Sequence, residues 1–120
     1  MKKQNKVTGN RGEDQAAAYL SGLGYQILAR NFRVRFGEID IAAMDGDTVV
    51  FVEVKARHTL SYGRPAQAVN YHKQQKILQV ARYFLRQRHL EGCLCRFDVI
   101  EVYFSGEGGR LRHIRGAFEA

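Results

Sequence analysis

The sequence predicts an α/β fold in which a central mixed sheet is flanked by helices in the order αβββαβ. Three observations predict it: an alanine-rich helical stretch ending near Gly24, two β-patterned segments joined by Asp45-Gly46-Asp47, and apolar residues at helical spacing between residues 72 and 89. With 120 residues, 45% apolar and 26% charged side chains and a single proline, the chain has the make-up of one globular domain around one core. No repeat, low-complexity run or linker divides it, so residues 9–120 are expected to form one domain behind a basic tail at 1–8.

From about Asn10 to Leu23 the pattern is helical, with Ala16, Ala17, Leu20 and Leu23 on one face and Gly24 as the stop. Tyr25 to Phe32 reads as a strand rich in apolar and aromatic residues. Gly37 to Met44 is a second, in which Ile39, Ile41 and Ala43 alternate against Glu38 and Asp40. The glycine of Asp45-Gly46-Asp47 tolerates the positive φ of a tight hairpin turn. In the third strand, Thr48 to Lys55, the apolar run is nearly continuous, which implies burial on both faces and a place at the sheet centre. After a loop carrying Gly63 and Pro65, a helix from about His72 to His89 buries Ile77, Val80, Ala81, Phe84 and Leu85. Its other faces carry Lys73, Lys76, Arg82, Arg86 and Arg88, a distribution that usually means simple solvation. A fourth strand, Cys93 to Phe104, ends before Gly106-Glu107-Gly108-Gly109, and Arg110 to Phe118 is expected to return as an edge element.

Nineteen Lys and Arg against twelve Asp and Glu, a formal charge of +7, favour a polyanionic partner over an acidic protein or a neutral metabolite. No window is long and apolar enough for a membrane span. The basic N-terminus is not followed by an apolar stretch, so a cytoplasmic protein without membrane attachment is expected. Cys93 and Cys95, two apart in a strand, cannot build a disulfide framework, and with His89 they lack a fourth ligand for zinc. The four histidines are scattered, none beside a nucleophile or an orienting acid.

The register of the hairpin carries the chemistry. If Gly46-Asp47 are the central turn residues, Asp40 lies directly opposite Glu53. If Asp45-Gly46 are central, Asp40 faces Phe51 and is diagonal to Glu53. In either case both carboxylates share one face, and Lys55, two residues beyond Glu53, points the same way. Two carboxylates at close quarters repel, and a divalent cation removes the conflict. Asp40 and Glu53, helped by the Val54 carbonyl, suit Mg²⁺ or Mn²⁺, with Lys55 placed to orient water or steady phosphoryl charge. That set of groups suits phosphodiester hydrolysis. Against it stands a plain salt-bridge cluster, in which Glu38 would also take part.

Gly37-Glu38-Ile39-Asp40, the thirteen residues from Asp40 to Glu53, and Glu53-Val54-Lys55 after a buried strand resemble the PD-(D/E)XK nuclease superfamily, with its restriction-endonuclease-like core. Arg11-Gly12-Glu13, Phe51-Val52-Glu53-Val54-Lys55, Tyr62-Gly63 and Arg96-Phe97-Asp98-Val99 more closely resemble the YraN-like proteins, an uncharacterised bacterial family; the likeness covers about residues 9–104. Archaeal Holliday junction resolvases are a more distant likeness. Ile39 stands where the superfamily pattern has proline, which leaves the ligand Asp40 in place. The resemblance implies a single nuclease-like domain and a metal-dependent endonuclease acting on DNA, branched or damaged DNA in recombination and repair being suggested by kinship. It also implies metal binding by Asp40 and Glu53, assistance from Lys55, an approach of Glu13 to the metal, and a homodimer by analogy with the resolvases.

Glu13 has a second reading, since Asn10 and Glu13 have the spacing of a capping box. Asp98, among apolar strand residues, is expected to be a buried, hydrogen-bonded carboxylate. Arg57, His58, Tyr62 and Arg64 on the loop leaving Lys55, with Lys73 and Lys76 on the second helix, are the candidates for phosphate contact. A non-catalytic nucleic-acid-binding module on the same fold, or an RNA-associated factor, is the alternative function.

Overall fold

Gly24 stops the first helix, as its position predicts. In the computed structural model, which describes residues 2–57, 69–105 and 108–119, α1 (Lys2–Gly22) closes in a left-handed turn at Gly24, φ 92°. The Tyr25 amide donates to the Leu20 carbonyl at 3.0 Å and the Gly24 amide to the Ser21 carbonyl at 3.0 Å, the paired bonds by which a glycine ends a helix. Leu20 and Tyr25, at the two ends of this turn, are both buried in one apolar cluster. Leu23, expected on the inward face, is exposed, because the helix has already ended and the turn carries it outward. The helix also begins at Lys2 rather than Asn10, running through residues read as a tail. That run holds no proline, and a nucleated helix gains a hydrogen bond with each residue added.

The strands β1 (Gln26–Val34), β2 (Gly37–Asp45), β3 (Thr48–Arg57), β4 (Leu94–Ser105) and β5 (Gly108–Phe118) form one sheet in that spatial order. The pairs β1–β2, β2–β3 and β4–β5 are antiparallel, whereas β3–β4 is parallel and is joined through α2 (Tyr71–Gln87). The expected α/β order is therefore present, with a mixed sheet, a helix on each face and β5 as the edge strand. The apolar run of β3 puts it third of five, where it is covered on both faces. Val50 and Val52 pack with Ala16, Ala17 and Leu20 of α1, while Val49 and Phe51 pack with Ile77, Val80, Ala81 and Phe84 of α2.

One expectation about β2 is corrected. Ile41 and Ala43 join the α1-side core, but Ile39 joins the α2-side core together with Phe32. Arg30 pairs with Ile41 and Phe32 with Ile39, so the simple alternation breaks between these two pairs, at Asn31 on β1 and Asp40 on β2. Asn31 has φ 51°, a left-handed backbone that asparagine adopts more readily than most residues. The pleat therefore changes at the position of the acidic residue.

Two glycines set how closely the helices approach this end of the sheet. A Cβ on Gly37 would lie 2.9 Å from Val80 Cγ2 of α2, and one on Gly12 would lie 2.9 Å from Ala56 Cβ of β3. Both contacts are too short for an added methyl to fit without movement. Gly12→Ala is expected to destabilise the protein by about 1–3 kcal/mol through overpacking. Gly22→Ala, with open space around it, should be neutral or stabilising by up to about 1 kcal/mol. Urea denaturation of the two variants checks this, and equal midpoints would contradict the close helix–strand contact.

Candidate metal centre and nucleic-acid cleft

The β2–β3 ladder pairs Ile41 with Val52, Ala42 with Phe51 and Asp45 with Thr48. Gly46-Asp47 are thus the central turn residues, the first of the two registers that the sequence allows. Asp40 and Glu53 are the residues next beyond the last ladder pair, Ile41 with Val52, and their side chains meet there. Asp40 Oδ2 accepts the Val54 amide at 2.8 Å, a side-chain bond across the two strands. Glu53 is 8% exposed, and its Oε2 lies 2.5 Å from Lys73 Nζ and 3.6 Å from Lys55 Nζ. Lys73 is held there by the start of α2, where the N-cap Asn70 Oδ1 accepts the Lys73 amide at 2.9 Å. These groups, with Gly37, Glu38, Lys76 and Ile77, line an open cleft of about 340 Å³ on the α2 face of the sheet.

Burial, with the facing Glu53 adding to it, pushes the Asp40 carboxyl up to about 8, while the Val54 N–H pulls the other way. Burial also draws the Lys55 ammonium below the ordinary lysine value, with Glu53 opposing. For Lys73 burial works in the same downward sense and is the largest single influence. The hydrogen bond to Glu53 and the attraction of that carboxylate, with smaller contributions from Lys55 and Asp40, together outweigh it and hold the ammonium above its usual value. The cleft therefore holds one acid whose ionisation is opposed by burial and by its neighbour, and a lysine whose charge is weakened by burial.

The structure brings together Asp40, Glu53, Lys55, Lys73 and Lys76, and sets Val54 between the two acids. It does not bring Glu13 into the cleft. Glu13 is 5% exposed, and its Oε1 accepts from Arg30 Nε at 3.0 Å and Asn31 Nδ2 at 2.9 Å. The capping-box account of Glu13 also fails, because Asn10 lies inside α1. An opposite charge on the neighbouring strand has captured this carboxylate. Among the described residues no group of three acidic, histidine or cysteine side chains is placed to hold a metal ion, so the acidic pair stands alone. Glu38 is a salt-bridge partner as expected, with Arg33 at 2.9 Å. His58, Tyr62 and Arg64 lie outside the described residues.

Asp98 is the buried, fully bonded carboxylate that its apolar setting suggests. It accepts from Arg96 Nε at 2.9 Å and the Gly116 amide at 3.0 Å, and meets His113 Nε2 at 2.7 Å. Burial opposes its ionisation, but these partners hold its carboxyl below the ordinary value. Sequence reasoning missed Glu101, which is completely buried on β4 and stands beside Lys55 in the parallel register. Among the described residues its oxygens have no hydrogen-bond partner, and Arg57 Nε is 4.0 Å away. Asn31, the partner of Glu13 beside Asp40, was also missed. Neither residue carries a local signal: a parallel register and a broken pleat are properties of the assembled sheet.

The family model described as "Uncharacterised protein family UPF0102" matches residues 12–102, a span that contains the whole acidic cleft. The chain is 50% identical to a UPF0102 protein of Syntrophus aciditrophicus, over 97% of this chain and 91% of that protein. It is also 50% identical to one of Geobacter metallireducens, over 99% and 98% of the two chains, and 47% identical to one of Caldicellulosiruptor saccharolyticus, over 81% and 82%.

The raised Asp40 value has a consequence for stability. In the fold the carboxyl keeps its proton up to about 8, whereas an unfolded aspartate releases it near about 3.9. Between these values the folded state binds more protons, so this group's contribution to stability is lost as pH rises. Asp40→Asn is expected to gain on the wild type between about pH 5 and pH 8 in urea denaturation without metal, and a pH-independent difference would contradict the burial.

Proposed function

Starting from the fact that the chain belongs to the uncharacterised protein family UPF0102, we propose that it is a metal-dependent endonuclease that hydrolyses phosphodiester bonds in DNA, branched or damaged DNA included. The observation that carries this reading is the close approach of the Asp40 and Glu53 side chains, with the Asp40 carboxyl pushed up to about 8, in an open cleft edged by lysines. Two lysines pair with Glu53, but among the described residues none pairs with Asp40, and a purely structural ion-pair cluster would not need this second, buried acid beside the first.

The donor set fits a small hard cation. Mg²⁺ or Mn²⁺ is commonly held by one or two carboxylates with water in the remaining positions. Asp40 and Glu53 would hold the ion, with the Val54 carbonyl as the neighbouring neutral donor. The bound metal supplies polarisation of the scissile phosphate and a lowered pKa for water. Lys55 Nζ, 3.6 Å from Glu53 Oε2, would orient the attacking water and meet charge developing on the phosphoryl oxygens. Lys73 neutralises Glu53, and Lys76, exposed at the edge of the cleft, would meet a phosphate. Arg57, at the end of β3, is the ion-pair partner of the buried Glu101 and does not line the cleft, so the phosphate contact expected of it is not part of this reading. The formal charge of +7 supports a polyanionic substrate.

A second reading, a nucleic-acid-binding module without hydrolysis, is favoured by one observation. Lys73 already compensates Glu53, and the described residues offer two acidic ligands rather than three. Linear, nicked, flapped and four-way DNA, incubated with the protein and Mg²⁺ or Mn²⁺, separates the two. The nuclease reading predicts cleavage that is abolished in Glu53→Ala and reduced about 100- to 1000-fold in kcat by Lys55→Ala, with DNA binding retained. No cleavage above the Glu53→Ala control, with binding intact, would leave the binding module.

A further inference from the structure

Next to the cleft, on the same side of the sheet, lies a second concavity of about 310 Å³ lined by Phe36, Gln79, Arg82, Tyr83 and Arg86. Phe36 and Tyr83 are 44% and 42% exposed. Their ring centroids are 6.2 Å apart. Tyr83 also lies 6.2 Å from Phe32, which meets Phe84 edge-on at 5.0 Å, and Phe84 meets the fully buried Phe51 at 5.7 Å. The exposed pair is thus the outer end of an aromatic series rooted in the core. Arg82 and Arg86 are exposed beside it, and neither forms an ion pair with a described residue.

Lys73, Lys76, Gln79, Tyr83 and Arg86 follow one another at helical spacings of three and four, so they share one side of α2. From Lys73 to Arg86 that side runs about 20 Å at the rise of an α-helix. Phe36 immediately precedes Gly37, which lines the cleft, so the two concavities adjoin at the β1–β2 turn as well as along α2. A duplex hides the faces of its bases, and only an unpaired strand can offer them to a ring. Rings flanked by guanidinium groups suit that ligand, because stacking takes the base while the cations meet the phosphates.

We propose that Phe36 and Tyr83, with Arg82 and Arg86, form a stacking site for unpaired nucleotides that leads a single strand along α2 to the acidic cleft. The proposal rests on the reading of that cleft as a nucleic-acid site, and it makes the preferred substrate one with a single-stranded segment next to the scissile bond. A cap over the β1–β2 turn would explain the apolar packing of Phe36 and Tyr83. It would not explain why two uncompensated arginines line the same concavity.

The test is equilibrium binding in EDTA, where no metal is available for cleavage, of a labelled oligodeoxythymidylate and a labelled blunt duplex. Phe36→Leu and Tyr83→Leu keep apolar bulk over Phe32 and remove the ring face. Each is expected to weaken binding to the single strand about tenfold and to change duplex binding by less than about twofold, with an unchanged melting temperature. Unchanged single-strand affinity in both variants, or equal weakening of both ligands, would overturn the stacking site. A cleavage assay reads the neighbouring cleft independently. The binding pattern without any hydrolysis would remove the nuclease reading and leave the stacking site, and hydrolysis without the binding pattern would do the reverse.

Discussion

Two carboxylates facing each other across an antiparallel ladder are the constraint around which this end of the molecule is arranged. The opposition follows from the hairpin: with Gly46-Asp47 at its centre, every pair back to Ile41 and Val52 is in register, and the next position sets acid against acid. Burial of the Asp40 carboxyl makes the conflict costly, because a half-dry environment screens the repulsion less than water does. Neighbouring parts of the fold answer to it. The Val54 amide is directed to Asp40 Oδ2, Asn70 starts α2 so that Lys73 reaches Glu53, and Gly37 lets that helix come down onto β2.

The same arrangement separates acids whose charges are satisfied inside the fold from acids that line an open cleft. Glu13 and Asp98 are buried and surrounded by donors, Arg30 and Asn31 for one, Arg96, His113 and Gly116 for the other. Their charges are satisfied internally, and they tie α1 to β1 and β4 to β5. Asp40 and Glu53 instead face one another at an open cleft, and the cation on Glu53 is a flexible lysine side chain, the kind of partner a ligand can displace. Along the α2 side of the sheet a series of rings runs through an otherwise aliphatic core, from Phe118 through Phe97, Phe51 and Phe84 to Phe32. That series continues outward to Tyr83 and Phe36.

Most of the architecture was legible because its signals are local. The Gly24 stop, the hairpin glycine, the continuous apolar run of β3 and the stripe of α2 each act within a few residues, and the structure has each in place. The shared face of Asp40, Glu53 and Lys55 was legible for the same reason, since a tight turn transmits register along two strands. What was not legible depends on contacts distant in sequence. The fate of Glu13 was decided by Arg30 on another element, the face of Ile39 by the break in pleat at Asn31 and Asp40, and the burial of Glu101 by a parallel register that no turn specifies. The ion pair of Lys73 with Glu53 belongs to the same class, because it depends on how far α2 descends onto the sheet.

Calorimetric titration of chelator-treated protein with Mn²⁺ near neutral pH, in two buffers of different ionisation enthalpy, reads whether Asp40 and Glu53 together grip one hard cation. One ion per chain is expected, with protons released as the Asp40 carboxyl gives up its hydrogen, and both signals lost in Glu53→Ala. Absence of binding in the wild type, or binding and proton release that survive unchanged in Glu53→Ala, would rule that grip out.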